Sequence, residues 1–555
     1  MAGVNGSGTA RRRRARQLGR VMSVLLLPGS LLLTVDGHGA DAAPRTPVAR
    51  CAKHEHQTDR HPEKRTQCGP LQTSGGAARG DFDADGRGDL AVGIPLEDVG
   101  SATDAGTVQV FNGSPDGPRP GRAQHIVEGT SAEPGDRFGA ALAAGDFNGD
   151  GFSDLAVGRP GEDGAAGADM GGVSLFNGSA NGLSTTPSGA LVGSQAGGAF
   201  GAALVWGRFG EDPAADLAIG VPFADRRVAT GTVADAGEVE VHFGSSTGLE
   251  QERLVLRQGF GALGETPEAG DAFGSTLAAG DLSVSEPTIG GLVLLDELLI
   301  GTPSEDLGIG ADAGQVAVVR PTGSGFVEGA FLQQAQPEPG DRFGSALATA
   351  NLDGTEGADL AVGVPFEDPR SLDVRDSGEV DVWFSAADGS GVGGAPNQVL
   401  SSVGGNQSGA RFGSALAAND FDGGGADLAV GAPLHDVGGV VDSGKVDIFY
   451  GGGGGLGGSG ANPPQLLTGD QEGGRFGSAL SGWGFNGVAP ADLAVGVPFA
   501  DVVDGTGVKV DAGRVEVYLT TLGFSFVNAD VRILDQRGTF NEFPEAGDQF
   551  GTALY

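Results

Sequence analysis

Cysteine, tryptophan, tyrosine and basic residues are all scarce in this sequence of 555 residues. It has two cysteines, three tryptophans and three tyrosines, and its 34 Lys and Arg residues stand against 72 Asp and Glu. The net charge of −38 disfavours nucleic acid and anionic membranes as partners and favours divalent cations. The shortage of Trp and Tyr also argues against a carbohydrate platform, which would use exposed aromatic rings.

The sequence also lacks an apolar run long enough to cross a bilayer. An arginine-rich segment at 11–20 precedes an apolar stretch at 21–35 that proline and glycine interrupt. A spanning helix needs about 20 apolar residues, so this stretch is too short. With small residues at 40 and 42, it predicts a signal peptide at 1–42 that is cleaved near Ala42. We therefore expect a secreted, extracellular protein with no membrane anchor, whose remaining residues carry a net charge of −42.

The two cysteines lie in a polar segment, residues 43–75, which we interpret as a linker ahead of a single large domain at 76–555. In an exported protein, Cys51 and Cys68 are expected to form a disulfide. Closing this loop would contribute about 3 kcal/mol through chain entropy. A metal site is the alternative because three histidines lie between the cysteines, although their spacing matches no zinc pattern.

Glycine is abundant, with 104 residues, and much of it falls in an internal repeat without the period of collagen. Three markers recur seven times each: an apolar-Gly-x-Pro element, a Phe-Gly pair, and an Asp two positions before a Gly that opens an alternating strand. The Gly-x-Pro glycines are Gly93, Gly158, Gly220, Gly301, Gly363, Gly431 and Gly496. The phenylalanines are Phe138, Phe200, Phe273, Phe343, Phe412, Phe476 and Phe550. The aspartates are Asp104, Asp169, Asp235, Asp312, Asp376, Asp442 and Asp511.

Each repeat predicts four short antiparallel strands. Residues 345–348 are small, as the innermost strand of a blade needs where several sheets converge. The Asp-Leu-Ala-Val-Gly stretch predicts a buried strand, and 378–383 alternates apolar and polar residues as a half-buried strand does. A weaker fourth strand follows, such as 252–256. Seven such units predict an all-β, seven-bladed β-propeller. A β-solenoid is the alternative, although its rungs are usually much shorter than these repeats.

The two ends of the repeat region predict how the ring closes. The first repeat has its Gly-x-Pro element but no Phe-Gly pair, and the last residues, 549–554, supply that pair with nothing after it. The C-terminal segment is therefore expected to complete the first blade, so that no sheet edge or face is left open. Residues 75–80 are the alternative inner strand of that blade.

Phe-Gly, an aspartate loop and Gly-x-Pro, in this order, resemble the FG-GAP repeats of the N-terminal β-propeller of integrin α subunits. Such repeats also occur in many exported bacterial proteins and beside a glycosylphosphatidylinositol-specific phospholipase domain. The resemblance covers about residues 76–555 and implies the propeller fold. It also implies that the loop between the first two strands of a blade is a calcium-binding hairpin.

The clearest such loop is Gly80–Leu90. Calcium takes six to eight oxygens from a flexible loop whose alternate side chains point inward. In the first blade, the predicted ligands are Asp81, Asp83, Asp85, the carbonyl of Arg87, and Asp89. In the second blade, they are Asp146, Asn148, Asp150, the carbonyl of Phe152, and Asp154. Two structural Ca²⁺ sites are expected, with an acidic turn that holds no metal as the alternative. The Arg87-Gly88-Asp89 tripeptide inside the first loop is interpreted as a chance match to an adhesion motif.

The other loops are degenerate. The fifth retains Asn351, Asp353 and Asp359, for which weak or no calcium binding is expected. The sixth, from Asp420 to Asp427, is one residue short. The third, fourth and seventh keep fewer ligands.

The loops that join the second and third strands are long and acidic, and they would lie on the face opposite the calcium loops. They predict a binding or adhesion function for a protein or other extracellular ligand, with the chain expected as a monomer. No nucleophile, histidine or carboxylate pair forms a convincing catalytic constellation. A hydrolase related to the FG-GAP-containing phospholipases is the alternative function.

Overall fold

The computed structural model describes residues 80–555 except 129–131, 230, 260–263, 265, 284–294, 309, 323–324, 370–373, 387, 459, 521–525, 527–528 and 537–543. The predicted signal peptide, linker and Cys51–Cys68 disulfide lie outside the described residues. In the part that is described, the regular elements are 32 β-strands and one 3₁₀ turn at Pro120–Arg122, and no helix is long and apolar enough to cross a membrane.

The strands form seven four-stranded antiparallel sheets, the blades, and two small hairpins. Blades are numbered along the chain, and each is given from its inner to its outer strand. Blade 1 is β32 (Ala553–Leu554), β1 (Leu90–Ile94), β2 (Thr107–Phe111) and β3 (Gln124–Ile126); blade 2 is β4 (Ala141–Gly145), β5 (Asp154–Arg159), β6 (Gly172–Phe176) and β7 (Gly189–Val192). Blade 3 is β8 (Ala203–Gly207), β9 (Asp216–Val221), β12 (Glu238–His242) and β13 (Arg253–Leu256), with the hairpin β10 (Arg226–Val228) and β11 (Gly231–Val233). Blade 4 is β14 (Thr276–Gly280), β15 (Glu297–Thr302), β16 (Gln315–Thr322) and β17 (Gly325–Leu332); blade 5 is β18 (Ala346–Ala350), β19 (Asp359–Val364), β20 (Glu379–Trp383) and β21 (Gln398–Leu400). Blade 6 is β22 (Ala415–Asn419), β23 (Asp427–Ala432), β24 (Lys445–Phe449) and β25 (Gln465–Thr468). Blade 7 is β26 (Ala479–Trp483), β27 (Asp492–Val497), β30 (Arg514–Leu519) and β31 (Asp530–Leu534), with the hairpin β28 (Val502–Asp504) and β29 (Gly507–Lys509).

The seven-bladed propeller predicted from the repeats is confirmed, and so is its closure by the C-terminal segment. β32 pairs with β1, with Leu554 opposite Val92 and Ala553 opposite Gly93. The N–H of Ala91 also donates to the carbonyl of Tyr555. The inner strands contact one another in an unbroken circle, in the order β4, β8, β14, β18, β22, β26 and β32. The last strand of the chain therefore fills the inner position of blade 1.

The third strands are more deeply buried than their alternation predicts. All five residues of β2, β12 and β24 are buried, including the polar ones, and β20 exposes part of Glu379 alone. The expectation of a half-buried strand at 378–383 is therefore wrong. Each blade packs against a neighbour on both faces. The apolar and the polar side chains of the third strand, which point to opposite faces, are therefore both covered.

The recurrent glycines are explained by close approach of neighbouring backbones. A Cβ on Gly93 would overlap the carbonyl oxygen of Gly139, the glycine of the next blade's Phe-Gly pair. The same clash would occur in the other six blades, between each Gly-x-Pro glycine and the Phe-Gly glycine of the following blade. Two of the three sequence markers are thus the two sides of one contact, and a side chain on either would force the blades apart.

The third marker, the aspartate that precedes the alternating strand, contacts the residue directly before the Phe-Gly pair of the next blade. The seven marker aspartates all adopt left-handed backbone conformations, with φ between 47° and 55°, and so do the seven residues that directly precede the Phe-Gly pairs. In one such contact the N–H of Arg137 donates to the carbonyl of Asp104, and the N–H of Phe138 donates to that of Ala105. This ladder joins neighbouring blades at the start of each inner strand.

Candidate functional site

The propeller has two loop faces of different chemistry. We define the lower face as the end that carries the loops between the first and second strands, where the predicted calcium loops lie. The upper face carries the loops between the second and third strands. In blades 2 to 7 the inner strand runs from a Phe-Gly pair to the lower-face loop, so the Phe-Gly pairs and the marker aspartates lie at the upper face.

The first calcium loop, residues 80–90, brings three predicted ligands together. One carboxylate oxygen each from Asp81, Asp83 and Asp85 lies within 4.8 Å of the others. Loop N–H groups hold the carboxylates in place: Asp81 accepts from Asp85 (3.0 Å) and Gly86 (2.9 Å), Asp83 accepts from Asp85 (3.1 Å), and Asp85 accepts from Arg87 (2.9 Å). Gly86 makes the sharp turn with a φ of 86°. Burial raises the pKa of Asp81, and the neighbouring Asp83 and Asp85 add to the shift. A divalent cation would remove this repulsion.

The second calcium loop has the same contacts, atom for atom. Asp146 accepts from Asp150 (3.0 Å) and Gly151 (2.8 Å), Asn148 accepts from Asp150 (2.8 Å), and Asp150 accepts from Phe152 (3.0 Å). Gly151 has a φ of 92°, matching Gly86. The two loops are therefore built alike although Asn148 replaces an aspartate.

The last aspartate of each loop accepts hydrogen bonds from two backbone N–H groups. Asp89 accepts from the N–H of Phe82 and of Gly113, both at 2.8 Å, and Asp154 accepts from Phe147 and Gly178, both at 3.0 Å. Burial raises the pKa of Asp89 to about 8 and that of Asp154 to about 7. Asp492 of blade 7 makes equivalent bonds to Asn486 and Thr520 in a loop without the other ligands. This position therefore has a structural role beside any metal.

Arg87 differs from its counterpart Phe152. Its guanidinium pairs with Asp85 at 2.8 Å, with both side chains about one-third exposed, so it competes with a cation for that carboxylate. Gly88 packs directly against the ring of Trp483, and Asp89 is buried. Gly88 and Asp89 are thus covered, so the Arg87-Gly88-Asp89 tripeptide cannot be presented as a whole to another protein, in agreement with the interpretation of a chance match.

In the fifth loop, for which weak or no binding is expected, the predicted ligands accept hydrogen bonds from the loop itself. Asn351 accepts from Gly354, Asp353 accepts from Thr355, and Asp359 accepts from Leu352, Asp353 and Ser385. Among the described residues, this loop contributes no group of three acidic side chains close enough to share an ion.

The sixth loop is better formed than its missing residue suggests. Asp420, Asp422 and Asp427 each place a carboxylate oxygen within 4.8 Å of the others. The hydroxyl of Tyr450 is buried without a hydrogen-bond partner among the described residues. The charges of Asp427 and Asp422 help to raise the pKa of Tyr450, although its burial contributes more. The sequence pattern missed Tyr450 because this residue follows the third strand of blade 6, 23 positions after Asp427.

Neighbouring lower-face loops are hydrogen-bonded to one another. The carbonyl of Asp81 accepts from the N–H of Ser153, and that of Asp146 accepts from Ala215 in blade 3 at 2.8 Å. An ion that fixes one loop would therefore also fix the contact to the next blade.

The upper face carries a ring of paired aspartates. In each blade, the marker aspartate donates its N–H to the carboxylate of an earlier aspartate in the same loop. The pairs are Asp98–Asp104, Asp163–Asp169, Asp225–Asp235, Asp306–Asp312, Asp368–Asp376, Asp436–Asp442 and Asp501–Asp511. In blade 7 the hairpin β28–β29 also presents apolar side chains to solvent, with Val503 62% and Val508 59% exposed.

Comparison with known proteins finds one matching repeat family and several related sequences. The FG-GAP repeat family matches residues 75–111 and 138–176, which contain the first two predicted calcium loops. Phosphatidylinositol-glycan-specific phospholipase D from Bos taurus is 28% identical over 403 residues, which cover 67% of this chain and 45% of that protein. The enzyme of the same name from Rattus norvegicus is 35% identical over 154 residues, 26% of this chain and 18% of that protein. Integrin alpha-PS2 from Drosophila melanogaster is 38% identical over 117 residues, 20% of this chain and 8% of that protein. The chain thus spans less than half the length of each relative.

Proposed function

Because this chain carries FG-GAP repeats in a seven-bladed propeller similar to those of integrin α subunits, we propose that it is an exported recognition module. Calcium holds the lower-face loops of blades 1 and 2, and a protein ligand binds to the upper face. The observation that carries the metal part is the identical set of contacts around Asp81 and Asp146. In both loops the same backbone N–H groups orient three oxygen-bearing side chains in the same way.

The chemistry of both loops fits calcium. Carboxylate, amide and backbone carbonyl oxygens are the ligands that this hard cation takes, and a flexible loop allows six or more of them. Asp81, Asp83 and Asp85 would hold the ion in blade 1, and Asp146, Asn148 and Asp150 would hold it in blade 2. The carbonyls of Arg87 and Phe152 would complete the two sets. The bound cation would supply charge neutralisation and rigidity, not a chemical step.

The metal part is tested by thermal melts of the full chain with calcium and with EDTA. Calcium should raise the melting temperature of the wild type by several degrees, since binding the folded state alone stabilises it. The double variant Asp83→Ala/Asp150→Ala should lose most of this increment.

Asp492→Ala is the matched control, because it removes a buried aspartate from a loop that lacks the other ligands. It should lower the melting temperature equally with and without calcium. A wild-type melt that is the same in calcium and EDTA would contradict the metal part of the proposal.

The ligand part rests on the geometry of the upper face. Its loops are long, project as hairpins in blades 3 and 7, and combine exposed valines with aspartates, a mixture suited to a protein surface. A pull-down from the natural surroundings in calcium, with Val503→Lys/Val508→Lys as the variant, tests it. The variant should lose the captured protein, and the lower-face variant Asp353→Ala should retain it. Equal capture by Val503→Lys/Val508→Lys and wild type would contradict this placement.

A further inference from the structure

Three arginines stand at equivalent positions of consecutive blades on the upper face. Arg342, Arg411 and Arg475 directly precede the Phe-Gly pairs of blades 5, 6 and 7, and all have left-handed backbones with φ of 57° or 58°. Because each stands at the start of an inner strand, the three curve around the axis of the ring. We name them the arginine crescent.

Aromatic rings hold these guanidinium groups in place. The Cζ of Arg411 lies 4.5 Å from the centroid of Phe366, and that of Arg342 lies 5.3 Å from the same ring. The Cζ of Arg475 lies 4.1 Å from the centroid of Phe499. Stacking on a ring orients a guanidinium and reduces the freedom that it would lose on binding.

The positive charges of the crescent are close together. Burial lowers the pKa of Arg411 and of Arg475, and the charges of Arg475 and Arg342 lower that of Arg411 further. Asp376, Asp442 and Asp511 offset part of this effect. A chain with 72 acidic and 34 basic residues has thus gathered three of its cations at one point of an acidic face.

Two members of the crescent, Arg342 and Arg475, differ from the buried arginines Arg159 and Arg514 in their ion pairs. Arg159 contacts Glu162 at 2.7 Å, and Arg514 contacts Glu516 at the same distance. Arg342 and Arg475, by contrast, form no ion pair with any side chain in the described part of the chain. Their hydrogen-bonding edges are therefore available to a bound group.

We propose that the arginine crescent anchors carboxylate side chains of an acidic segment in the protein ligand. The proposal rests on the function proposed above and names the chemistry of its recognition. Guanidinium groups match carboxylates through paired, charge-assisted hydrogen bonds, and the stacked rings set their direction in advance. The aspartate ring around the crescent repels acidic surfaces in general, so that only a narrow acidic segment aligned with the axis can enter.

The test uses a fluorescein-labelled hexaglutamate peptide and the full chain in calcium, with binding followed by fluorescence polarisation. The test variant replaces Arg342, Arg411 and Arg475 with Gln. Blade 1 already carries Gln549 at this position with a φ of 56°, so the backbone accepts the replacement. The matched control is Arg137→Gln, which removes the same charge at the same position of blade 2, where Gly161 replaces the phenylalanine.

Wild type should bind the peptide, the triple variant should bind it at least about tenfold more weakly, and Arg137→Gln should stay within about twofold of wild type. Absence of binding by wild type, or equal binding by the triple variant, would overturn the proposal. Displacement of the peptide by inorganic phosphate at equal concentration would assign the crescent to phosphate and overturn the carboxylate assignment. If the triple variant still captures the wild-type ligand in the pull-down, the inference fails while the proposed function stands.

Discussion

At the scale of single residues, the protonation of a buried carboxyl group depends on which side chain lies next to it. The central position of the third strand holds Asp381 in blade 5 and Asp447 in blade 6, and both side chains are buried between blades. Lys445 lies 3.1 Å from Asp447, whereas both oxygens of Asp381 have no partner in the described residues. Burial, with the charges of Glu379 and Glu367, raises the pKa of Asp381 to about 8. The sequence shows only an alternating strand in both blades, so it could not separate these two cases.

Asp381 is therefore expected to keep its proton in the folded chain near neutral pH. Its folded pKa exceeds the value of about 3.9 in an unfolded chain, so the folded state binds more protons between these values and stability falls as pH rises. The Asp381→Asn variant has no carboxyl group at this position, so it should not lose stability in this way as the pH rises. Urea unfolding at pH 5 to 8 should show the variant gaining on wild type by up to about 1.4 kcal/mol per pH unit.

Asp447→Asn is the control for that experiment. It leaves the buried ammonium of Lys445 without its carboxylate and should cost about 3–5 kcal/mol. If the stabilities of Asp381→Asn and wild type run parallel across the pH range, the carboxyl of Asp381 is not the group that holds the proton.

At the scale of elements, the blades fall into two classes that differ at two positions of the repeat, and the residues at these two positions change together. In blades 1, 2, 4 and 5 an aspartate two residues before Phe-Gly accompanies a glutamate after Gly-x-Pro. The pairs are Asp548–Glu97, Asp136–Glu162, Asp271–Glu305 and Asp341–Glu367. In blades 3, 6 and 7 they are replaced by Gly198–Ala224, Ala410–His435 and Gly474–Ala500. The pairing is visible in the sequence, but its meaning needs the structure, because the partners are more than 20 residues apart along the chain. In the folded chain, Asp136 lies close to Glu162 and Asp341 lies close to Glu367.

The Asp341–Glu367 pair is expected to hold a proton as well. Burial and the nearby Glu367 raise the pKa of Asp341 to about 8, so this junction also loses stability as pH rises between about 4 and 8. The double variant Asp341→Ala/Glu367→Ala copies the small residues of the other class. It removes the acceptor of the Glu338 N–H, so it should be less stable than wild type at pH 5. The difference should shrink or reverse by pH 8 in urea unfolding.

Burial also raises the pKa of both carboxyls in the corresponding pair of blade 2, but this pair has a cation beside it. Arg159 makes ion pairs with Glu128 and Glu162 there, so Asp136→Ala/Glu162→Ala leaves that cation with fewer partners. This variant should be destabilised at every pH from 5 to 8. Parallel pH profiles for wild type and the blade 5 variant would show that the carboxyl pair is not proton-linked.

At the scale of the whole molecule, the repeat markers were sufficient to predict the propeller but not its details. Marker counting gives seven blades because each marker reports one contact between neighbours, such as Gly93 against Gly139. It also predicts the first two calcium loops, since their ligands follow one another within a few residues. It undervalued the sixth loop, where Asp420, Asp422 and Asp427 meet despite the missing residue. The sixth loop can bring its three aspartates together although it is one residue shorter, whereas a sequence pattern with fixed ligand spacing excludes it.

Closure is the other property that belongs to the whole ring. The C-terminal segment gives blade 1 its inner strand, and Phe550 packs edge-on against Phe111 with ring centroids 6.3 Å apart. Phe550 is 0% exposed and Leu554 is 3% exposed. The hydroxyl of Tyr555 donates to the carbonyl of Ala144 in blade 2, so the segment touches both sides of the junction. A few residues thus hold the two ends of the ring together.

Deletion of residues 549–555 should therefore open the ring rather than merely shorten it. Burial of Phe550 alone is worth about 3–5 kcal/mol, and the deletion would expose the edge of β1 and one face of blade 2. Urea unfolding should show a large loss of stability, and light scattering should show association through the opened blades. Tyr555→Phe, which loses one hydrogen bond, should cost only about 1 kcal/mol and stay unassociated. A truncated chain that is as stable as wild type would mean that the ring does not depend on this strand.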